Sequence, residues 1–296
     1  MKPLDEPVDF VAVGHVTLDQ TPRGSRPGGA AYYAAITAHR LGLRVGLLTS
    51  YGPDFPREAL PADISVANVP SERTTTFRIG RGRTGRDRLA RGHRPRDLAV
   101  LARATDLEAD ALPEAWRDAS LGGLYPVAGE VDPALAAAFP EASLVAVPQG
   151  WMRQRGAGGV VAPQPWEDAD LVLPYVQAVV TSLEDIAPFE KAALEWFQQV
   201  PVGAVTRGRD GAILFVNGER YHVEPDRATE VDATGAGDVF AATLLIEYHR
   251  GGSPWEAAAA AACCAAASVE AEGAAGIPDQ PALAARLAAY HRRLVG

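Results

Sequence analysis

Val231-Asp-Ala-Thr-Gly-Ala-Gly-Asp-Val-Phe-Ala-Ala242 is the stretch on which the reading of this chain turns. Gly235, Ala236 and Gly237 carry no bulky side chain just where a helical pattern begins, and that pattern runs from Gly235 to His249. The first N–H groups of a helix have no carbonyl partner within it and carry the positive end of its dipole. Such a turn can hold a phosphate, or the charge that develops on one during transfer. Asp238 falls in the same first turn, where a carboxylate can take the proton of a hydroxyl placed to attack a phosphoryl group. A glycine-rich helix start with an acid favouring the dipole is the plain structural alternative, so the segments on either side must decide.

Working outward, the chain alternates short apolar runs with helical ones. Asp9 to Gly14 reads as a buried strand, Ala30 to Leu41 as a helix opened by Gly28-Gly29 and closed by Gly42, and Arg44 to Ser50 as a second strand. This order with short connections predicts parallel pairing. Thr74 to Ile79, Ala119 to Leu124, Ser143 to Val147, Ala178 to Thr181 and Val202 to Thr206 read as further strands. Asp132-Pro133 caps a helix running to Phe139, and Pro188 to Gln199 is amphipathic. Asn217-Gly218 between Ala212–Val216 and Arg220–Val223 signals a hairpin. After Gly235 the chain is helical, with further helices over Pro254–Ala271 and Gln280–Leu294. No fixed-period repeat and no long linker divides it. One doubly wound α/β domain over residues 1–296 is expected, with a small β excursion around residues 74–101.

Composition removes other classes. With 47% hydrophobic and 22% charged residues the chain is neither disordered nor fibrous. The N-terminus, with Asp5, Glu6 and Asp9, lacks an apolar signal core, and the alanine-rich stretch Ala257–Val269 is too short to span a bilayer. Cys263 and Cys264 are adjacent and cannot build a disulfide framework, which fits a cytoplasmic protein. The net charge of −9 disfavours nucleic acid as a partner. Within it, Arg73–Arg96 holds nine arginines and one acid, a local +8 that leaves −17 elsewhere. This segment reads first as a solvated loop or hairpin face. Its other readings are a wall of the site that attracts ATP or an anionic acceptor, a subunit contact, or a nucleic-acid contact. Phe77 alone gives no stacking ladder for the last. His15 and His93 have no metal-ligand spacing; His15 follows the first strand, on the side where a substrate would sit. Of the tryptophans, Trp196 and Trp255 read as packing residues, and Trp151 occupies a loop that allows substrate contact.

Four more segments fall in order around the glycine turn. They are Val11-Ala-Val-Gly-His-Val-Thr-Leu-Asp19, Arg26-Pro-Gly-Gly-Ala-Ala31, Val205-Thr-Arg-Gly-Arg-Asp-Gly211 and Ala262 to Pro278. With them the chain resembles the ribokinase-like (PfkB) carbohydrate kinases over roughly residues 9 to 290. The resemblance implies a mostly parallel sheet flanked by helices. It implies an ATP-dependent kinase moving the γ-phosphate to an alcohol group of a sugar, an inositol-like polyol or a nucleoside. Asp238 is then the base, and Gly235, Ala236 and Gly237 form the anion hole. Thr206, Gly208 and Gly211 line the ATP, and Asp19, Gly28 and Gly29 hold acceptor hydroxyls. Asp232 lies where family members often build a monovalent-cation site, and Mg²⁺ bridges the ATP phosphates.

Two departures matter. Family members usually carry Asn-x-x-Glu near magnesium; here Thr181-Ser-Leu-Glu-Asp185 stands in its place. Ser182 aligns with the Asn and Asp185 with the Glu, which makes Asp185 the candidate to act on Mg²⁺ through water. Thr181 with Glu184 is the competing register, and helix capping by Ser182 or Thr181 is the plain alternative. Only Thr21 to Pro27 separates Asp19 from the double glycine, too short for the family's β lid. A small or absent lid is therefore expected, as in the inositol-kinase-like branch. That branch is also matched by Gly29-Ala-Ala-Tyr-Tyr33, Thr74-Thr-Thr-Phe77 and Val147-Pro-Gln-Gly-Trp-Met-Arg153, whose Gln149 and Arg153 can reach a polyol or a phosphate. A monomer, or a dimer through another surface than a lid, follows. A nucleotide- or metabolite-binding sensor without turnover is the alternative function.

Overall fold

Alternation along the first strand sets the layers. In β1 (Phe10–Val13), Phe10 and Ala12 enter one hydrophobic core while Val11 and Val13 enter another. A strand apolar on both sides must be covered on both sides, which is the condition for a parallel sheet between helical layers. The computed structural model describes residues 3–21, 24–80 and 98–295.

In chain order, β1 is followed by β2 (Thr17–Thr21), β3 (Gly24–Gly28), α1 (Ala30–Arg40), β4 (Val45–Tyr51), β5 (Ser65–Pro70), β6 (Thr75–Ile79) and β7 (Leu98–Ala102). Next come β8 (Leu121–Leu124), β9 (Ser143–Ala146), β10 (Arg153–Arg155), β11 (Val161–Pro163), α2 (Ala169–Val172), β12 (Ala178–Ser182), α3 (Leu183–Ile186) and α4 (Glu190–Phe197). The chain ends with β13 (Val202–Thr206), β14 (Ala212–Val216), β15 (Glu219–Val223), α5 (Ala236–Gly251), α6 (Pro254–Ser268) and α7 (Gln280–Val295).

Nine strands form one sheet in the order β15-β14-β13-β12-β9-β8-β1-β4-β5. It is parallel from β5 through β13; β14 and β15 add an antiparallel edge joined by Asn217-Gly218, with both residues at positive φ. On one face α1, α5, α6 and α7 bury Tyr33, Phe240, Leu244 and Tyr290; on the other lie Trp116, Trp151, Trp166 and Trp196. The alanine run of α6 keeps side chains short where α6 packs along α5. Asp132 does cap a helix, accepting from the Ala134 N–H at 2.9 Å, but the turn over Pro133–Ala138 is 3-10. Among the described residues no helix is long and apolar enough to cross a membrane.

The short insert between Asp19 and the double glycine does not prevent a lid sheet. Strands β2 and β3 form an antiparallel hairpin, and with β6 and β7 they make a four-stranded sheet in the order β3-β2-β6-β7. The hairpin is possible because β2 begins at Thr17 and β3 ends at Gly28, so the strands use residues on both sides of the short insert. The lid is therefore small rather than absent, and the reason for discounting a lid-borne dimer falls with it. The excursion around 74–101 belongs to this sheet. Residues 81–97, with most of the basic segment and His93, lie outside the described residues; Arg73 and Arg78 at its start are exposed.

Candidate active site

The carboxyl ends of the central parallel strands converge on one edge of the sheet, where ligands bind in open α/β folds. There β1 leads to Gly14, β8 to Tyr125, β9 to Gln149, β12 to Asp185 and β13 to Gly208, and α5 begins. The lid sheet adds Asp19 and Arg26.

Gly235 precedes α5 in the left-handed conformation, φ 79°, and a Cβ there would lie 2.4 Å from the Tyr33 ring. Both facts require glycine. A Cβ on Gly237, by contrast, would meet nothing within 4 Å. Among the described residues the N–H groups of Gly235, Gly237 and Asp238 donate to no backbone carbonyl outside the regular helix pattern, and that of Ala236 reaches the Ala233 carbonyl only at 3.4 Å. The turn thus offers open amides beside open space.

Asp238 is 9% exposed. Burial pushes its carboxyl up to about 7; Arg153 opposes this, while Asp185 and Asp19 reinforce it. Gln149 Nε2 donates to Asp238 Oδ1 at 3.2 Å, and Arg153 Nη2 donates to Gln149 Oε1 at 2.8 Å. Arg153 also donates to the Val127 carbonyl at 3.3 Å and lies 3.8 Å from Asp185 Oδ1. Asp238, Gln149, Arg153 and Asp185 therefore form one polar chain.

Asp19 is buried and accepts from Thr17 Oγ1 at 2.9 Å. Burial raises its carboxyl above the usual range, against the Thr17 hydrogen bond and the Arg26 charge. Gly28 leaves room for it: a Cβ there would stand 2.5 Å from Asp19 Oδ2. Gly29, at φ 100°, opens α1 and passes close to the His15 carbonyl. Ser182 caps α3, donating to Asp185 Oδ2 at 2.6 Å and accepting from the Asp185 N–H at 3.1 Å. Asp185 faces Arg153 while Glu184 is exposed, so the Ser182–Asp185 register is the one turned toward the polar chain. Thr206 Oγ1 is bonded to the Thr181 carbonyl at 3.3 Å. Gly208 borders open space, whereas Gly211 is glycine because a Cβ would meet the Val223 carbonyl at 2.2 Å.

Asp232, Trp151, Trp255 and His15 each have partners within the chain. Asp232 is paired with Arg26 at 2.9 Å. Trp151 is core: it stacks on Trp166 at 5.3 Å and donates its indole N–H to the Val131 carbonyl at 2.7 Å. Trp255 is half exposed, edge-on to Tyr221. His15 is fully buried; its Nε2 donates to the Thr105 carbonyl at 2.8 Å and its Nδ1 lies 2.7 Å from Thr75 Oγ1. Burial lowers its basicity, so it is a neutral tie between β1 and the lid. Burial also pushes the Cys263 and Cys264 thiols up to about 12, which keeps them unreactive.

Two residues escaped the sequence reading. Burial drives the Tyr33 hydroxyl well above its ordinary range, and the charges of Asp19, Asp232 and Asp238 add to the effect. Tyr125 is fully buried, its hydroxyl has no partner among the described residues, and Asp238 acts on it as well. Tyr33 lies in the Gly29-Ala-Ala-Tyr-Tyr33 motif but helix patterning already explains an aromatic residue there, and no local signal marks Tyr125. A cavity of about 450 Å³ lies on the Ala262–Pro278 side, lined by Ala267, Pro278 and Tyr290 among others. Among the described residues no cluster of three or more His, Cys, Asp or Glu is arranged to hold a metal ion directly.

The model of the pfkB family carbohydrate kinases matches residues 8–281. A cytidine kinase of Thermococcus kodakarensis is 26% identical over 263 residues, spanning 82% of this chain and 90% of that protein. The same fold is found in a pyrophosphate-dependent kinase of the ribokinase family solved with a pyrophosphate analogue and myo-inositol. Its TM-score is 0.73 at 18% identity, covering 94% of this chain and 99% of that one. A fructokinase double mutant of Vibrio cholerae, solved with fructose, ADP and potassium, gives a TM-score of 0.71 at 21% identity, covering 95% and 99%.

Proposed function

The chain belongs to the pfkB family of carbohydrate kinases, and from that premise we propose that it transfers the γ-phosphate of ATP to a hydroxyl of a polyol, sugar or nucleoside. The observation that carries this reading is the pairing of open amides at the start of α5 with a buried Asp238 held at about 7. A general base works best with a pKa near the operating pH.

In this mechanism Asp19 and Arg153 orient the acceptor, and Asp238 takes the proton of the attacking hydroxyl at a carboxylate oxygen. The Gly235, Gly237 and Asp238 amides stabilise the negative charge on the migrating phosphoryl group, the kind of fixed-dipole stabilisation that dominates such transfers. Thr206 and Gly208 hold the donor phosphates and ribose, and Gly211 sets the shape of their loop. The cavity beside Ala267 and Pro278 supports room for a base on that side. Asp185, a hard oxygen donor facing the polar chain, suits a magnesium ion held through water. When bound, Mg²⁺ neutralises charge on the donor phosphates. Localisation in the cytoplasm is consistent with the adjacent, buried thiols.

An acceptor panel of myo-inositol, fructose, ribose and cytidine, run with ATP or pyrophosphate as donor and followed by ³¹P NMR, tests the reading. Acceptor-dependent ADP release that is lost in Asp238→Asn is expected. A phosphorylated acceptor formed from pyrophosphate and not from ATP would replace the donor. Ser182 in place of asparagine favours the sensor reading, whose signature is saturable ligand binding with no turnover on any pair.

A further inference from the structure

Arg26 places a fixed positive charge on Asp232, the position expected to hold a monovalent cation. Its Nη1 donates to Asp232 Oδ2 at 2.9 Å; the Gly273 N–H donates to the same oxygen at 3.1 Å, and the Thr234 N–H to Oδ1 at 3.1 Å. All three partners are N–H donors. Hard cations are held by oxygens, and an N–H aimed at the same carboxylate repels an ion that would share it. The residues present therefore do not fit a monovalent ion at Asp232.

The position of Arg26 in the fold is specific. It stands on β3 directly opposite Asp19 on β2, so its one charge acts on Asp19 and on Asp232. The pair is largely sheltered, with side-chain exposures of 31% for Arg26 and 11% for Asp232. Burial would raise the Asp232 carboxyl, but the Thr234 and Gly273 hydrogen bonds and the Arg26 charge bring it below its ordinary value. The N–H groups of Val231 and Asp232 donate to the Val269 carbonyl at 2.8 and 3.1 Å. The loop leading into Gly235–Gly237 is thus pinned on one side by the end of α6 and on the other by a lid strand.

We propose that Arg26 is the resident cation of this protein: its guanidinium takes the ion's place at Asp232, and phosphoryl transfer proceeds without any monovalent ion. The activity arm of its test rests on the kinase reading above; the stability arm does not.

Wild-type protein is compared in KCl and in choline chloride at equal ionic strength, by thermal unfolding and by turnover of the pair found in the acceptor panel. Expected are unfolding midpoints within about 1 °C of each other and rates within about twofold. Arg26→Met is expected to unfold several degrees lower in choline chloride, to regain part of that in KCl, and to lose about tenfold in rate without potassium. Arg26→Lys, which keeps the charge, should retain cation independence in both measurements. A potassium-specific stabilisation of the wild type, or a rate rising more than about fivefold with potassium, overturns the proposal. So does an Arg26→Met protein indistinguishable from wild type in choline chloride. If no donor–acceptor pair turns over, the kinase reading fails, and the unfolding midpoints alone still decide the role of Arg26.

Discussion

Gln149 donates its amide N–H to Asp238 at 3.2 Å while its own carbonyl accepts from Arg153 at 2.8 Å. The amide is thereby fixed with its donor toward the carboxylate, and the arginine that fixes it is the same one that stabilises the ionised Asp238. A hydrogen bond to a charged group is worth about 1.5–3 kcal/mol. Gln149→Leu is expected to raise the Asp238 pKa and to move the acid limb of the kcat/KM–pH profile up by about one unit. A limb that stays in place with unchanged rate would remove Gln149 from the proton path.

Asp238→Asn separates chemistry from stability. Loss of a general base costs about 10²–10⁴-fold in rate. The same substitution should stabilise the fold at alkaline pH. Folding raises this carboxyl from about 3.8 to about 7, so between these values the native state binds more protons than the unfolded state. Stability from this group is complete below pH 3.8 and is lost as pH rises through 7. Removing the buried charge therefore raises the unfolding free energy at pH 8 more than at pH 4, by on the order of 1–4 kcal/mol. Unfolding curves at the two pH values check this; an equal or opposite effect would show that the carboxylate is solvated.

The strand–helix order and the glycine turn were legible because they are local. Apolar runs, caps and Asn217-Gly218 carry their meaning within a few residues. Strand β3 is different: Gly-Ser-Arg-Pro-Gly has turn composition and no alternation, and it is extended because β2 pairs with it and orders it. Strand β5, Ser65–Pro70, was likewise silent, an edge strand whose inward residues are the small Ser65 and Ala67 beside Val66. At the site, sequence order pointed to Asp238, Gln149 and Asp185 but not to their connection through Arg153. The resemblance gave Asp232 as a monovalent-cation position and could not supply Arg26, 206 positions away, as its partner. Trp151 misled because a loop position says nothing of what stacks behind it; Trp166 does.

Asp185 acts on Asp238 in the opposite sense to Gln149. Its negative charge helps hold the base protonated, and Arg153 stands 3.8 Å from it. Asp185→Asn is expected to lower the acid limb of the pH profile while raising the Mg²⁺ concentration needed for half-maximal rate. The two effects have different origins, so a magnesium titration at pH 8, where Asp238 is ionised in both proteins, isolates the second. An unchanged magnesium requirement would leave Asp185 as a helix-capped electrostatic neighbour only.

The two glycines of the turn provide the sharpest contrast. At Gly235 an alanine would combine a left-handed backbone with a methyl carbon 2.4 Å from the Tyr33 ring. Backbone strain alone costs about 1–3 kcal/mol, so Gly235→Ala should lower the unfolding midpoint and the rate together. At Gly237 the backbone is helical and the methyl would meet nothing within 4 Å. Replacing a helical glycine by alanine gains about 0.5–1 kcal/mol, and Gly237→Ala should therefore be as stable as wild type or more so. That open space is where a migrating phosphoryl group must pass if the neighbouring amides stabilise it, and a methyl there obstructs its approach. A stable Gly237→Ala protein is thus expected to lose at least about tenfold in kcat, a difference of about 1.4 kcal/mol in the barrier. Full turnover in that variant would place the phosphoryl group elsewhere, because a methyl can be neutral at this position only if nothing needs the space beside it.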